Sequence, residues 1–274
     1  MADPSFDSVT VEARDVYRRE GVVCLRGIFR SWVPLLRRGV ARNREQPGPY
    51  FAENVAGSGA GSFWDDYCNW QRIPEFERFL RESDMARLAA GIMGSEAAQL
   101  FHDHVLVKEP GTSKPTPWHQ DSPYYFIDGS QTVSFWLPLD RVARARSLRL
   151  VAGSHLRGGT VRPVKWLDDS DFYTEPEAAY DDPPVGEQDV DGRLIRAWSM
   201  QPGDAVLFHF RTLHGALGNE SPRRRRAFSV RWVGDDARYV ERPGRTSPPF
   251  PGHDMRPGQR LREDWFPVLW PPDA

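Results

Sequence analysis

His119 and Asp121 stand two residues apart in Pro117-Trp118-His119-Gln120-Asp121-Ser122. An imidazole beside a carboxylate is two thirds of a 2-His-1-carboxylate set, the protein half of a non-haem iron(II) site that leaves positions open for reactants. In an extended strand, residues i and i+2 point the same way, so the spacing predicts that the two side chains converge. Alone, His-x-Asp also describes a hydrogen-bonded pair at a strand end. The metal reading therefore needs a third ligand and an anchor for a cosubstrate.

Both candidates lie downstream. Gln201-Pro202-Gly203-Asp204 signals a turn, and the apolar run Ala205 to Phe210 reads as a strand. His214 follows just before Gly215, where the backbone can bend to present a ligand. His209, between Phe208 and Phe210, has the neighbours of a packed histidine. Next come the turn Gly218 to Pro222 and the run Arg223-Arg224-Arg225-Arg226-Ala227-Phe228-Ser229-Val230-Arg231-Trp232, whose second half alternates like a strand burying one face. Three protein ligands leave about three positions on an octahedral iron. A 2-oxoacid fills two of them, and its far carboxylate then needs a cation in the pocket. One of the four arginines suits that task through its planar fork, while the other three read as solvated. The chain has a net charge of −2 and no broad basic face, so nucleic acid is not an expected partner.

These pieces resemble the phytanoyl-CoA dioxygenase family of iron(II)/2-oxoglutarate oxygenases. The similarity runs from Phe101 to Trp232 through Leu106-Val107-Lys108-Glu109-Pro110-Gly111, Pro115 to Asp121, Val133 to Asp140, Gly153-Ser154-His155, Pro202-Gly203-Asp204 and His214-Gly215 with the arginine run. The resemblance implies iron ligation by His119, Asp121 and His214. It assigns the 2-oxoglutarate arginine to Arg225, eleven residues after His214, and places Gln120, Trp136 and His104 in the cosubstrate pocket. Many relatives carry a hydroxyl residue two positions after the distal histidine, where this chain has Ala216. Arg144-Ala145-Arg146-Ser147 replaces the usual acidic-Asn-Gly turn.

The rest of the chain must position these groups. Helical patterns are expected at Val9–Glu20, stopped by Gly21, at 31–45 with Pro34 in the first turn, and at 74–80 and 84–93. Val22 to Leu25 reads as a short strand, and 46–61 as a loop carrying Tyr50 and Phe51 near the pocket mouth. Phe101 to Val107 reads as a strand whose His102 and His104 share a face, a pair that could itself bind metal but that more simply points His104 into the pocket. His155 reads as a turn histidine, and His253 lies in a Pro/Gly-rich tail. Helices first and strands afterwards predict a mainly β fold with flanking helices. That is a double-stranded β-helix (a cupin-like jelly roll) buttressed by N-terminal helices. The expected organisation is one domain over 1–274, with a helical buttress at 1–100, the jelly-roll core at 101–235 and a C-terminal wrap at 236–274.

Hydrophobic content of 39% is ample for a core, and ten tryptophans with fifteen phenylalanines suggest an aromatic-lined cavity. Two cysteines, Cys24 and Cys68, do not make a disulfide framework. With no signal peptide or membrane-length apolar run, a cytoplasmic location and no membrane partner are expected. Between Leu167 and Asp191 there are ten carboxylates and no lysine or arginine, which reads as a solvated insertion or as a lid. The expected activity uses iron(II), 2-oxoglutarate and O2 to oxidise, by default hydroxylate, a C–H bond of a small molecule, releasing succinate and CO2. Desaturation, ring closure and epimerisation use the same ligands. A cupin-type metal enzyme without 2-oxoglutarate would not need Arg225. A metal-stabilised binding protein would keep the ligands without turnover.

Overall fold

Three long strands place apolar side chains on one face and mixed ones on the other, and this period sets the architecture. In Arg225–Val233, Phe228, Val230 and Trp232 join the main hydrophobic core, while Arg225, Ala227, Ser229 and Arg231 line the cavity on the opposite face. Thr132–Pro138 sends Val133, Phe135 and Leu137 to the core and Trp136 to the cavity. Ala98–Lys108 shows His102, His104, Leu106 and Lys108 to the cavity and Val105 and Val107 to the core. Its parity changes at a register shift, where Arg231 pairs with His102 but Trp232 with Leu100.

The computed structural model describes residues 4–55, 61–166, 170–174, 180–186, 190 and 193–272. Its larger sheet has eight strands. They run in the order Val22–Leu25, Ala205–Phe208, Thr132–Pro138, Arg225–Val233, Ala98–Lys108, Ser62–Tyr67, Ala52–Val55, with Val268–Trp270 also pairing to Ala98–Lys108. The smaller sheet runs Ile195–Arg196, Arg149–Val151, His214–Ala216, Thr116–His119. All these pairings are antiparallel. Side chains of both sheets meet in one inner cluster, where Trp136, Val206, Phe208 and Ala227 pack with Leu148, Leu150 and Ala216. This is the jelly roll expected from the sequence.

Four helices, Pro4–Glu20, Val33–Glu45, Pro74–Glu82 and Met85–Met93, supply the other side of the main core. The first ends at Gly21, whose φ of +72° closes the helix; a Cβ there would lie 2.3 Å from His155 Nδ1. Pro34 sits in the first turn of the second helix, where its missing N–H costs nothing. Two departures concern strands. The 46–61 stretch was expected as a loop, but Ala52–Val55 pairs with Ser62–Tyr67 at the edge of the large sheet. Ala-Glu-Asn-Val has no apolar alternation because an edge strand need not bury a face. The large sheet also recruits Val22–Leu25, Ser62–Tyr67 and Val268–Trp270 from outside the 101–235 segment, and Ser62–Tyr67 was not expected as a strand. Among the described residues no helix is long and apolar enough to cross a membrane.

The helical layer is clamped to the sheet by aromatic contacts. The buried Phe76 ring lies 4.5 Å from Phe228 and meets the helix Val33–Glu45 at Gly39, where a Cβ would come within 2.4 Å of it. Phe76→Ala is expected to cost about 3–5 kcal/mol, the usual range for emptying a phenylalanine site in a core. Urea denaturation measures this, and a loss below about 1 kcal/mol would show that the contact does not anchor the helices.

Candidate metal centre

His119 ends the strand Thr116–His119, and His214 begins the strand His214–Ala216. The two residues are direct cross-strand partners, with ring centroids 4.1 Å apart. Asp121 completes the cluster from a different local geometry. The extended strand expected through His119 and Asp121 stops at His119, and Asp121 has helical backbone angles at the cap of the turn Ser122–Tyr124. Its N–H donates to the Phe210 carbonyl at 2.8 Å, which fixes the turn. Asp121 Oδ1 lies 3.8 Å from His119 Nε2 and 3.9 Å from His214 Nε2, and the three potential ligand atoms fall within 4.8 Å of one another. Gly215 is needed for a reason other than bending. A Cβ there would lie 3.1 Å from the Thr116 carbonyl oxygen, so the ligand strands pack closely beside it.

The donor set suits iron(II). His119 Nδ1 donates to the Pro117 carbonyl at 2.8 Å and His214 Nδ1 to the Thr212 carbonyl at 2.9 Å, which leaves both Nε2 lone pairs directed at Asp121. Burial, reinforced by the neighbouring His214, pushes the His119 imidazole down to about 3. Burial likewise lowers His214. Burial alone would raise the Asp121 carboxyl; the Arg231 guanidinium, with the Ser134 hydroxyl, holds it well below the usual carboxylate range. Two neutral nitrogens and one ionised oxygen are the donors that a 2-His-1-carboxylate iron site requires.

Arg231 and Ser134 were not singled out by the sequence reading. Ser134 Oγ donates to Asp121 Oδ2 at 2.8 Å, and Arg231 Nε lies 3.6 Å from the same oxygen while donating to the Tyr125 hydroxyl at 3.1 Å. Asp121 is therefore gripped by its outer oxygen, and Oδ1 remains for a metal. The available signal was period: Arg231 shares parity with Arg225 on one strand and so faces the same cavity.

The cavity has two lobes. The outer lobe, about 280 Å³, is bordered by Tyr50, Tyr67, His104, Tyr124, Trp166 and Phe172 along with His119 and Asp121. The inner lobe, about 40 Å³, contains Trp136, Ala216, Arg225, Lys108 and Thr116 along with His119 and His214. Trp136 and Arg225 thus border the same lobe. His104 stands apart, in the outer lobe, with Nε2 on Asp65 Oδ2 at 2.8 Å and its ring edge-on to Tyr67. Gln120 differs from its expected role. It points away from the cavity, and its amide bridges the Arg211 carbonyl at 2.9 Å and the Val161 N–H at 2.8 Å. Alternation between His119 and Asp121 would have indicated this.

Of the four arginines, Arg224 pairs with Glu109 at 2.7 Å and Arg226 pairs bidentately with Asp140 at 2.7 and 3.0 Å, while Arg223 is exposed. Arg225 is buried, and its Nη1 donates to the Arg146 carbonyl. Burial and then Arg146 lower it to about 10. Thr116 is the cross-strand partner of Ala216, so a hydroxyl borders the inner lobe from the opposite strand. His209 is buried with its nitrogens on Ser130 and Arg211 backbone atoms, and His155 Nε2 meets the Arg18 carbonyl. His253 Nδ1 accepts from the Met255 N–H, against Tyr239. Tyr50 stacks on Tyr67 at 4.8 Å, near the outer lobe as expected. Much of the acidic stretch 167–191 lies outside the described residues. Of its described part, Tyr173 is buried with its hydroxyl on the Pro123 carbonyl, and Phe172 packs on Tyr124.

Comparison with known proteins agrees with this geometry. The model of the family "Phytanoyl-CoA dioxygenase (PhyH)" matches residues 17–227. A probable phytanoyl-CoA dioxygenase of Caenorhabditis elegans is 30% identical over 188 residues, covering 66% of this chain and 54% of that protein. Phytanoyl-CoA dioxygenase 1 of Oryza sativa subsp. japonica is 24% identical over 158 residues, covering 57% and 52%. The matches span about half the length of these curated relatives. Among solved structures, the non-haem α-ketoglutarate-dependent carbocyclase SnoK from nogalamycin biosynthesis is 26% identical with a TM-score of 0.70, covering 94% of this chain and 95% of that one. The epimerase SnoN, solved with Fe3+, α-ketoglutarate and nogalamycin RO, is 24% identical with a TM-score of 0.73, covering 97% and 100%.

Asp121→Ala and His214→Ala are each expected to abolish tight iron(II) binding, whereas His209→Ala retains it. Anaerobic calorimetric titration checks this, and reversed histidine results would move the distal ligand to His209. At pH 7 both imidazoles are already neutral and Asp121 already ionised, so iron binding should release almost no protons from these groups. Titrations in buffers of different ionisation enthalpy measure that release.

Proposed function

The chain belongs to the phytanoyl-CoA dioxygenase family, and from that premise we propose that it is an iron(II)- and 2-oxoglutarate-dependent oxygenase that oxidises, by default hydroxylates, a C–H bond of a small molecule. The observation that carries this reading is Arg225. It is a buried guanidinium without a carboxylate partner among the described residues, placed in the same small lobe as His119, His214 and Trp136. Such a cation is costly to keep unless an anion meets it during the working cycle.

Iron(II), when bound with 2-oxoglutarate, supplies oxygen activation coupled to decarboxylation, giving succinate, CO2 and an oxidised substrate. The protein holds and orients. His119, His214 and Asp121 present three donors on one side, while Ser134 and Arg231 keep Asp121 ionised and correctly turned. Arg225 receives the far carboxylate of the cosubstrate, with the Thr116 hydroxyl in the place left by Ala216. Trp166, Tyr124 and Phe172 wall the outer lobe and exclude water from the substrate side. The shape of that lobe selects the carbon presented, so ring closure and epimerisation remain open to the same ligands. One domain over 1–274 is part of this reading. A reducing, cytoplasmic setting is supported by Cys24 and Cys68 being free thiols.

Anaerobic titration with iron(II) and then 2-oxoglutarate tests the proposal by the visible charge-transfer band of the chelate, followed by succinate release in air. Arg225→Ala should raise the 2-oxoglutarate requirement at least tenfold, since a charged hydrogen bond contributes about 1.5–3 kcal/mol and two parallel bonds are lost. Iron affinity should be unchanged. An unchanged requirement would move the anchor away from Arg225, and a parent protein that forms no chelate and releases no succinate would favour a jelly-roll metal enzyme that does not use this cosubstrate.

A further inference from the structure

Lys108 is as buried as any core residue, yet it ends in an ammonium group. It comes from the strand Ala98–Lys108 and is the direct cross-strand partner of Arg225. Like charges placed opposite each other destabilise a sheet, and both of these are out of water. Lys108 Nζ donates to the Lys114 carbonyl at 3.0 Å and the Leu217 carbonyl at 3.1 Å, and it lies 4.9 Å from the centre of the Phe63 ring. No carboxylate partner is found for it or for Arg225 among the described residues. Burial, and then the charges of Arg225 and Lys114, drive its pKa well below the usual lysine range.

An ammonium has three donors, and two are committed to carbonyls. The third remains for the inner lobe, which Lys108 borders together with Arg225, Thr116 and Trp136. Carbonyl oxygens carry only partial charge, so they satisfy hydrogen bonds without cancelling the cation. Two adjacent buried basic groups with no counter-charge form a site for a carboxylate, whose negative charge favours the protonated form of Lys108. At that point in the cavity, the carboxylate is the end of a ligand whose other end faces the metal ligands.

We propose that Lys108 is a second cationic anchor for the far carboxylate of the 2-oxoacid, paired with Arg225, and that this double anchor makes the inner lobe selective for a 2-oxo dicarboxylate over a 2-oxo monocarboxylate. The proposal rests on the oxygenase reading above and deepens it. The extra cation also answers the loss of the hydroxyl at position 216, since a charge-assisted bond is stronger than a neutral one.

The alternative role for Lys108 is structural, a latch between Lys114 and Leu217, the residue that follows the strand His214–Ala216. Selectivity separates the two. Binding of 2-oxoglutarate and of 2-oxovalerate, which has the same carbon chain without the far carboxylate, is measured anaerobically on the iron(II)-loaded protein by the charge-transfer band. Lys108→Met should weaken 2-oxoglutarate binding on the order of tenfold or more. It should leave 2-oxovalerate and iron(II) binding unchanged, and Lys108→Arg should restore part of the loss. Equal weakening of both oxoacids, or 2-oxoglutarate binding as tight as the parent's, overturns the anchor while leaving the oxygenase reading intact. If Lys108→Met does not fold, Lys108→Arg and Lys108→Gln decide by the same ratio. A parent protein that forms no chelate with 2-oxoglutarate overturns both readings.

Discussion

Charge held out of water between two sheets is the constraint on which this structure turns. Several ionisable groups face one cavity, and each must be answered within a few ångströms or remain a standing cost. At the metal end the account is closed internally: Asp121 faces Arg231 and accepts from Ser134, while the two imidazoles are neutral. At the inner end it is open, because Arg225 and Lys108 face each other across neighbouring strands. On the oxygenase reading, this asymmetry would orient a molecule with a metal-chelating head and an anionic tail in one direction.

The two-residue period of the large sheet makes such an arrangement stable. Its central strands are buried on both faces, so each can spend one face on cohesion and the other on chemistry. Phe228, Val230 and Trp232 fasten Arg225–Val233 to the helical layer, and the residues of opposite parity on the strand include both cavity arginines. The cost of desolvating those charges is offset by apolar packing on the reverse side of the same strand. A one-residue slip would put both guanidinium groups into the aromatic layer. Register is therefore specified as strongly by the charges as by the core.

Much of this was legible in the sequence, for identifiable reasons. The helices carried 3.6-residue patterns with a glycine or proline at their ends, and Gly21 stops its helix as read. His119, Asp121 and His214 were legible because few residue types ligate iron. Arg225 was separable from its neighbours only through family spacing; in three dimensions the separation is physical, since Arg224 and Arg226 have carboxylate partners and Arg225 has an inward parity. What was not legible depended on partners distant in the chain. Asp121 was expected on a strand, but a hydrogen bond to Phe210 holds it in a turn. Gln120 belongs to a motif yet faces away, and Lys108 looks like a surface lysine until Arg225 is placed beside it. The edge strand Ala52–Val55 lacked any pattern, because its pairing, rather than its burial, defines it.

The two lobes also differ in what carries them. Apart from Leu148 and Trp166, every residue bordering the inner lobe stands on a strand of one of the two sheets. The outer lobe takes Tyr50, Trp166, Phe172, Ser247 and Pro248 from segments between strands. On the oxygenase reading, the two histidine ligands and the cosubstrate anchor thus sit on the sheets, where a change in one residue disturbs a whole register, while Asp121 sits on the turn that follows its strand. The outer lobe is walled largely by connections, which tolerate changes of length and side chain better than strands do. A carbocyclase and an epimerase with this same fold are consistent with that division. On the oxygenase reading, oxygen activation belongs to the sheets, and the choice of carbon and outcome is left to the loops.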